Sequence, residues 1–215
     1  MAFSLFYAIL VPSQNQREAF STWNAFCCTP AAPLVPSAAS TLCGARASSR
    51  WRFGTTPTST WKEYQARRDC LLAYAPTIGM EVRVQEDYGL KDFVRHVAGD
   101  IDHRCAYCYE HRLEGTAKYA AEHGFAAFTS TLLASTYQNH EAIAAAAEMY
   151  ARQYGVEFLY RDFRSNFRAG NQRARELGFY MQKYCGCVFS EADRYQKQID
   201  RDRAKFDAEE AARQG

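Results

Sequence analysis

The sequence predicts an α/β fold in which helices flank a parallel sheet, and two observations carry that reading. From Trp61 onward, amphipathic stretches alternate with short apolar runs, the pattern of strands joined by helical crossovers. Helical stretches also close on glycines where the period breaks, at Gly79, Gly124 and Gly155. The 215 residues suit one good-sized domain, and 47% apolar with 14% aromatic residues supply a full core without disulfide staples.

In chain order, "WKEYQARRDCLLAYAPTIG" (61–79) is an amphipathic helix and "MEVRVQEDY" (80–88) a short alternating strand. "GLKDFVRHVAGD" begins a second helix, and "YEHRLEGTAKYAAEHG" is a third that follows Cys105 and Cys108. "FAAFTSTLL" reads as a buried strand, "YQNHEAIAAAAEMYARQYG" as a helix and "VEFLYRDF" as another strand. "NQRARELGFYMQKY" should be a helix leading straight into Cys185, after which Ser190 is placed to N-cap a last charged helix. Residues 25–60 are rich in Ser, Thr, Ala and Pro and show neither period, so a disordered or poorly packed segment is expected there. The organisation is thus 1–60 aberrant, 61–195 an α/β domain and 196–215 a charged helical tail.

The opening "MAFSLFYAILVP" lacks the basic region and small-residue cleavage site of a secretory signal, and no apolar run is long enough to span a membrane. A cytoplasmic protein is expected. Eight cysteines in such a chain point to metal or redox chemistry rather than a disulfide framework. A net charge of +2 permits an RNA partner without arguing for one.

Cys105 and Cys108 form a C-x-x-C pair, a spacing that lets two thiolates share zinc or an iron–sulfur cluster and equally suits a dithiol. Cys185-Gly186-Cys187 is tighter, able to ligate metal, to join the first pair in a four-cysteine zinc clip, or to close as a strained, redox-active disulfide. Cys27 and Cys28 are a nominal ligand pair in a segment without a rigid frame, and Cys43 and Cys70 look incidental, Cys70 as core. Around them Tyr107, Tyr109, Arg112, Arg161, Arg164, Arg168, Arg173, Arg175, Lys183 and Tyr184 mix rings with cations. An RNA loop would use that mixture, and an ordinary solvated face would show it too.

The strings "RCAYCYEHRLEGTAKYAAEHGFAAFTSTLLASTYQNHEAI", "VEFLYRDFR" and "YMQKYCGCVFS" resemble the QueH family, the cobalamin-independent epoxyqueuosine reductases, over Trp61 to about Tyr195. The resemblance implies a Rossmann-like, adenine-nucleotide-hydrolase (HUP-like) sheet carrying a [4Fe-4S] cluster. It also implies reduction of the epoxide of epoxyqueuosine at the tRNA wobble position, giving queuosine. By resemblance Cys105 and Cys108 are cluster ligands, and Cys185 and Cys187 are the redox-active pair. A second iron ion acting as a Lewis acid is compatible with this chemistry, and an electron donor is required. Tyr107, Tyr109, Asp162 and Tyr184 are candidates for protonating the epoxide oxygen. Met181 stands where the family usually has Arg, and Thr136 where it usually has Pro. Two alternatives are a different tRNA enzyme of the same scaffold, such as an ATP-dependent thiolase, and a non-enzymatic zinc-clipped RNA-binding module. The first would need a Gly-rich phosphate loop that the sequence does not show.

The family opens with a strand and "LLHxCCAPCS", whose paired cysteines supply the remaining ligands, and has "YNPNIHP" just before "WKEY". Neither string is present. Written in permitted codons, Phe26 to Pro36 reads "LLHTCCAPCS" from the third base of its first codon, and Trp51 to Thr60 reads "AFWYNPNIH" in the same displaced frame. Two family motifs emerging in one frame point to an indel upstream of the Phe26 codon and a compensating one near Thr60. On this reading the first strand of the sheet is missing or scrambled, Cys27 and Cys28 match the family pair only by accident, and the chain as written is expected to be inactive.

Overall fold

The computed structural model describes residues 7–12, 50–53, 58–78, 81–84 and 88–214. Its sheet has five strands in the order β3-β2-β1-β4-β5. β1 is Tyr7–Pro12, β2 Arg50–Phe53, β3 Glu81–Val84, β4 Phe125–Ser130 and β5 Glu157–Phe158. β2 pairs parallel with β3 and β4 with β5, while β1 runs antiparallel to both its neighbours. Every strand but the central one therefore points the same way.

Two expectations are corrected by this sheet. It is mixed rather than parallel, and its centre is not missing, because Tyr7–Pro12 occupies it. β1 reads "YAILVP", and Leu10 within it is fully buried in the main core. Antiparallel entry needs no crossover helix, so the long connection from β1 to β2 carries no topological requirement for one. The segment 25–60 also contributes a strand, β2, whose "RWRF" alternates charge with aromatic ring. That short period-2 signal is submerged in the surrounding Ser, Thr and Pro.

The helices are α1 (Trp61–Tyr74), α2 (Leu90–Val97), α3 (Arg104–Glu122), α4 (His140–Tyr154), α5 (Phe167–Glu176) and α6 (Val188–Gln214). α4 shows why these boundaries fall where they do. The Asn139 side chain accepts from the Ala142 N–H at 3.0 Å, and Gly155 closes the helix at φ 68°. The main core joins Leu113, Ala117 and Ala120 of α3 to Phe125 and Phe128 of β4 and to Ile143 and Ala147 of α4. The alanines let the two helices approach closely, and each large side chain buried there contributes about 1.5–3 kcal/mol.

The strand expected over "VEFLYRDF" is only Glu157–Phe158, and the helix expected to reach Gly79 ends at Tyr74. Three further local expectations change near the cysteines. α3 begins at Arg104, so Cys105 and Cys108 lie on its first two turns rather than before it. The helix expected to run into Cys185 stops at Glu176, where Gly178 takes φ 68°, and Cys185-Gly186-Cys187 lies in the following loop. α6 starts at Val188, so Ser190 sits inside its first turn instead of capping it. Among the described residues no helix is long and apolar enough to cross a membrane.

Candidate active site

One pocket is lined by Cys105, Cys108, Cys185 and Cys187 together with Thr58, Phe93, Arg104, Tyr109, Arg112 and Gln138. The fold assembles it from three directions. α3 brings the C-x-x-C pair, the loop before α6 brings the C-x-C pair, and the chain beyond β2 and β4 brings Thr58 and Gln138. The pocket thus lies off the carboxyl ends of β2 and β4, where open α/β sheets place their ligands.

The thiols sit in unequal surroundings. Cys105 is exposed as a residue, Cys108 and Cys185 are half-buried, Cys187 is buried, and all are free. Desolvation of the sulfur, with the neighbouring Cys108 and Cys185 adding to it, pushes the Cys105 thiol up to about 11. Burial likewise raises Cys187. Arg112 donates from Nε to the Cys108 Sγ at 3.1 Å and from Nη2 to the Thr58 Oγ1 at 3.2 Å. Ser190 Oγ donates to the Cys187 carbonyl at 2.9 Å and lies 2.8 Å from the Cys185 Sγ. A hydroxyl has one proton to give, so the Cys185 thiol is the donor in that second contact.

Behind the C-x-C turn lies a polar cluster that sequence reasoning missed. Arg67, 1% exposed, is ion-paired with Glu63 at 2.6 Å and donates to the Cys185 carbonyl at 3.2 Å. The Tyr180 hydroxyl donates to the other oxygen of Glu63. The available signal was the i, i+4 spacing of Glu63 and Arg67 in "WKEYQAR". Arg104, Gln138 and Thr58 carried no comparable signal.

The candidate proton donors separate. Tyr109 lines the pocket, donates to the Gln138 Oε1 at 2.7 Å and accepts from the Asn139 N–H at 3.3 Å. Burial pushes its hydroxyl up to about 12, so it carries its proton at neutral pH. Asp162 is gripped by Arg164, from Nε at 2.8 Å and from the backbone N–H at 3.0 Å, which holds it down at about 2. Tyr107 stacks between His96, with centroids 4.6 Å apart, and His111, at 5.7 Å. The Tyr184 hydroxyl is raised by desolvation first and by Glu63 next. Of the other cations, Arg112 alone among Arg112, Arg161, Arg164, Arg168, Arg173, Arg175 and Lys183 lines the pocket. Arg173 is paired with Glu176 at 2.9 Å.

The donor set suits an iron–sulfur group in part. Cys105 and Cys108 stand one turn apart on one helix with both sulfurs on the pocket, the geometry of half a thiolate ligand set. Among the described residues no three His, Cys, Asp or Glu side chains are grouped to hold a metal ion, so the four sulfurs share a pocket without closing on one point. The remaining ligands would have to come from elsewhere, and Cys27, Cys28 and Cys43 lie outside the described residues.

A family model described as Epoxyqueuosine reductase QueH matches residues 25–193. The match begins ahead of Trp61 and so spans Cys27 and Cys28. The Epoxyqueuosine reductase QueH of Dehalococcoides mccartyi is 35% identical over 135 residues, which is 63% of this chain and 74% of that protein. That of Thermotoga maritima is 32% identical over 148 residues, 64% of this chain and 77% of its own. That of Haemophilus influenzae is 31% identical over 141 residues, 61% and 57% respectively. These matches lend no support to a thiolase or a zinc-clipped binding module.

Proposed function

The chain belongs to the QueH family of epoxyqueuosine reductases, oxidoreductases of queuosine biosynthesis, and from that premise we propose how its pocket divides the reaction. The carrying observation is that both cysteine pairs and Tyr109 line a single pocket. The substrate is tRNA bearing epoxyqueuosine. Converting its epoxide to an alkene breaks both carbon–oxygen bonds and takes two electrons and two protons, the oxygen leaving as water. Two thiols closing to one disulfide supply that balance.

Cys185 and Cys187 are the dithiol that delivers the electron pair. Tyr109, the only one of the four candidates lining the pocket, relays one of the dithiol's two protons to the departing oxygen, its hydroxyl turning from the Gln138 oxygen to do so. It is then reprotonated from the dithiol. Phe93 and the half-buried wall around Cys187 limit water at the sulfurs. Cys105 and Cys108 would hold two corners of a [4Fe-4S] cluster, with Arg112 donating to the Cys108 sulfur. When bound, that group would pass single electrons from an external donor. The other ligand pair comes from the front of the chain: nominally Cys27 and Cys28, and in our reading the paired cysteines of "LLHTCCAPCS" in the displaced frame. The site works in a cytoplasmic setting, with no membrane partner.

The test is nucleoside mass spectrometry of epoxyqueuosine tRNA incubated with reconstituted protein and a reductant. Tyr109→Phe should lower turnover at least tenfold with iron content unchanged. Full turnover by Tyr109→Phe would remove it as the proton donor.

A further inference from the structure

We infer that Arg67 is a positioning residue for the redox pair: its guanidinium lies on Gly186, between the two sulfur-bearing residues, and holds the turn in its dithiol form. The inference rests on reading Cys185 and Cys187 as the redox pair. A Cβ built on Gly186 would fall 2.3 Å from both terminal nitrogens of Arg67 and 2.4 Å from its Cζ, far inside contact distance. Gly186 also has φ +97°, a conformation other residues adopt only under strain.

A flexible arginine could normally swing away from a methyl group, but this one is pinned. Its Nε and Nη2 reach the Glu63 Oε1 at 2.8 and 2.6 Å, and its Nη1 reaches the Cys185 carbonyl at 3.2 Å. Both partners of the ion pair are buried, at 1% and 6% exposure. Displacing the guanidinium would strand a buried charge, which is costly. α1 therefore reaches across the fold to fix the peptide between the two sulfurs.

That contact belongs to the state in which both thiols are free. Closing the disulfide removes two electrons and two protons from the pair and draws the sulfurs together, which the pinned turn resists. A protein that stabilises the reduced form of a dithiol raises its potential. Arg67 should thus ease the return to dithiol after each turnover, and losing it should make the pair more reducing.

The experiment is a redox titration of the full chain without cluster, run in both reading-frame forms, in dithiothreitol buffers of set ratio. The Cys185–Cys187 state is read by differential alkylation and peptide mass spectrometry, and folding by circular dichroism. Arg67→Lys and Gly186→Ala should each shift the equilibrium toward disulfide about tenfold, about 30 mV more negative. Combining Arg67→Ala with Gly186→Ala should cost less than the sum of the single changes, since removing the guanidinium makes room for the methyl. Gly186→Ala leaves α1 untouched and decides the matter if the Arg67 variants fail to fold. A wild-type couple that Gly186→Ala leaves within twofold overturns the clamp alone. Absence of any wild-type couple overturns the redox reading, and the clamp with it.

Discussion

The Nε of Arg112 donates to the Sγ of Cys108 at 3.1 Å, one helical turn back along α3. The same guanidinium holds Thr58, so one side chain ties a cysteine of the C-x-x-C pair to the chain beyond β2. Partners of this kind typically cost 10–100-fold in metal affinity or activity when removed. Arg112→Gln should therefore lower iron retained after reconstitution by at least tenfold, measured by iron and sulfide analysis. Thr58→Ser, which keeps the hydroxyl, should leave it unchanged.

Division of labour between the cysteine pairs has a separable signature. Cys185→Ser should retain the iron–sulfur absorption of the reconstituted, frame-restored protein while losing turnover on epoxyqueuosine tRNA. Cys105→Ser should lose both. If Cys185→Ser instead bleaches the absorption, the two pairs share one ligand role.

Asp162 offers a pH test with a definite sign. Its folded value is held down at about 2 by Arg164, below the ordinary 3.8. The pair therefore stabilises the fold above about pH 4, and that contribution disappears as pH falls through about 2. Discounted for its partial exposure, it amounts to about 0.5 kcal/mol. Urea unfolding should show Asp162→Asn weaker by that amount at pH 6 and equal to wild type near pH 2. Turnover at neutral pH should be unchanged, because a carboxylate held ionised does not supply the proton.

Phe128 is fully buried where β4 meets both α3 and α4. Phe128→Ala should cost about 3–5 kcal/mol. Thermal unfolding should show a large drop in midpoint, and a shift of only a degree or two would mean that the β4 interface is not the centre of the core.

Resequencing the gene tests the displaced frame directly, and an unbroken read through both motifs in the stated frame would end it. Expressing both forms gives the functional comparison. The chain as written should take up little iron and make no queuosine, and the frame-restored chain should do both. Comparable rates from the two would show the displaced motifs to be dispensable.

From Trp61 on, α2, α4 and β4 were legible from their apolar spacing. α1 was placed by its start, but it stops at Tyr74 and gives way to a 3-10 turn over Ala75–Ile78, ahead of the glycine expected to end it. The spacing of the cysteine pairs marked them as candidates for metal or redox chemistry without choosing between the two, and their convergence on one pocket is geometric. Illegible features were those fixed by tertiary packing. The strand "RWRF" is four residues long, the break at Gly178 interrupts a helical pattern with a single residue, and the Arg67–Gly186 contact joins residues from distant parts of the chain. Ser190 is a residue type favoured at helix N-caps, but it lies inside the first turn, where its hydroxyl donates back to the Cys187 carbonyl instead of accepting from a backbone N–H.

The reversed centre of the sheet bears on which residues can meet the cysteines. A strand is a vector, and its heading decides at which rim of the sheet the next residues emerge. Tyr7 lies opposite Phe53 and Ala8 opposite Ser130, at the pocket rim, while Pro12 lies opposite Phe125 at the far rim. The chain therefore enters β1 beside the pocket and leaves it on the other side. A strand taking the same slot with the opposite heading would release its following residues at the rim where β2 and β4 end, at Phe53 and Ser130. On the displaced-frame reading, the residues following such a strand in "LLHTCCAPCS" would be the paired cysteines, and the heading of one short strand would govern whether a second set of sulfurs is carried toward Cys105 and Cys108 or away from them.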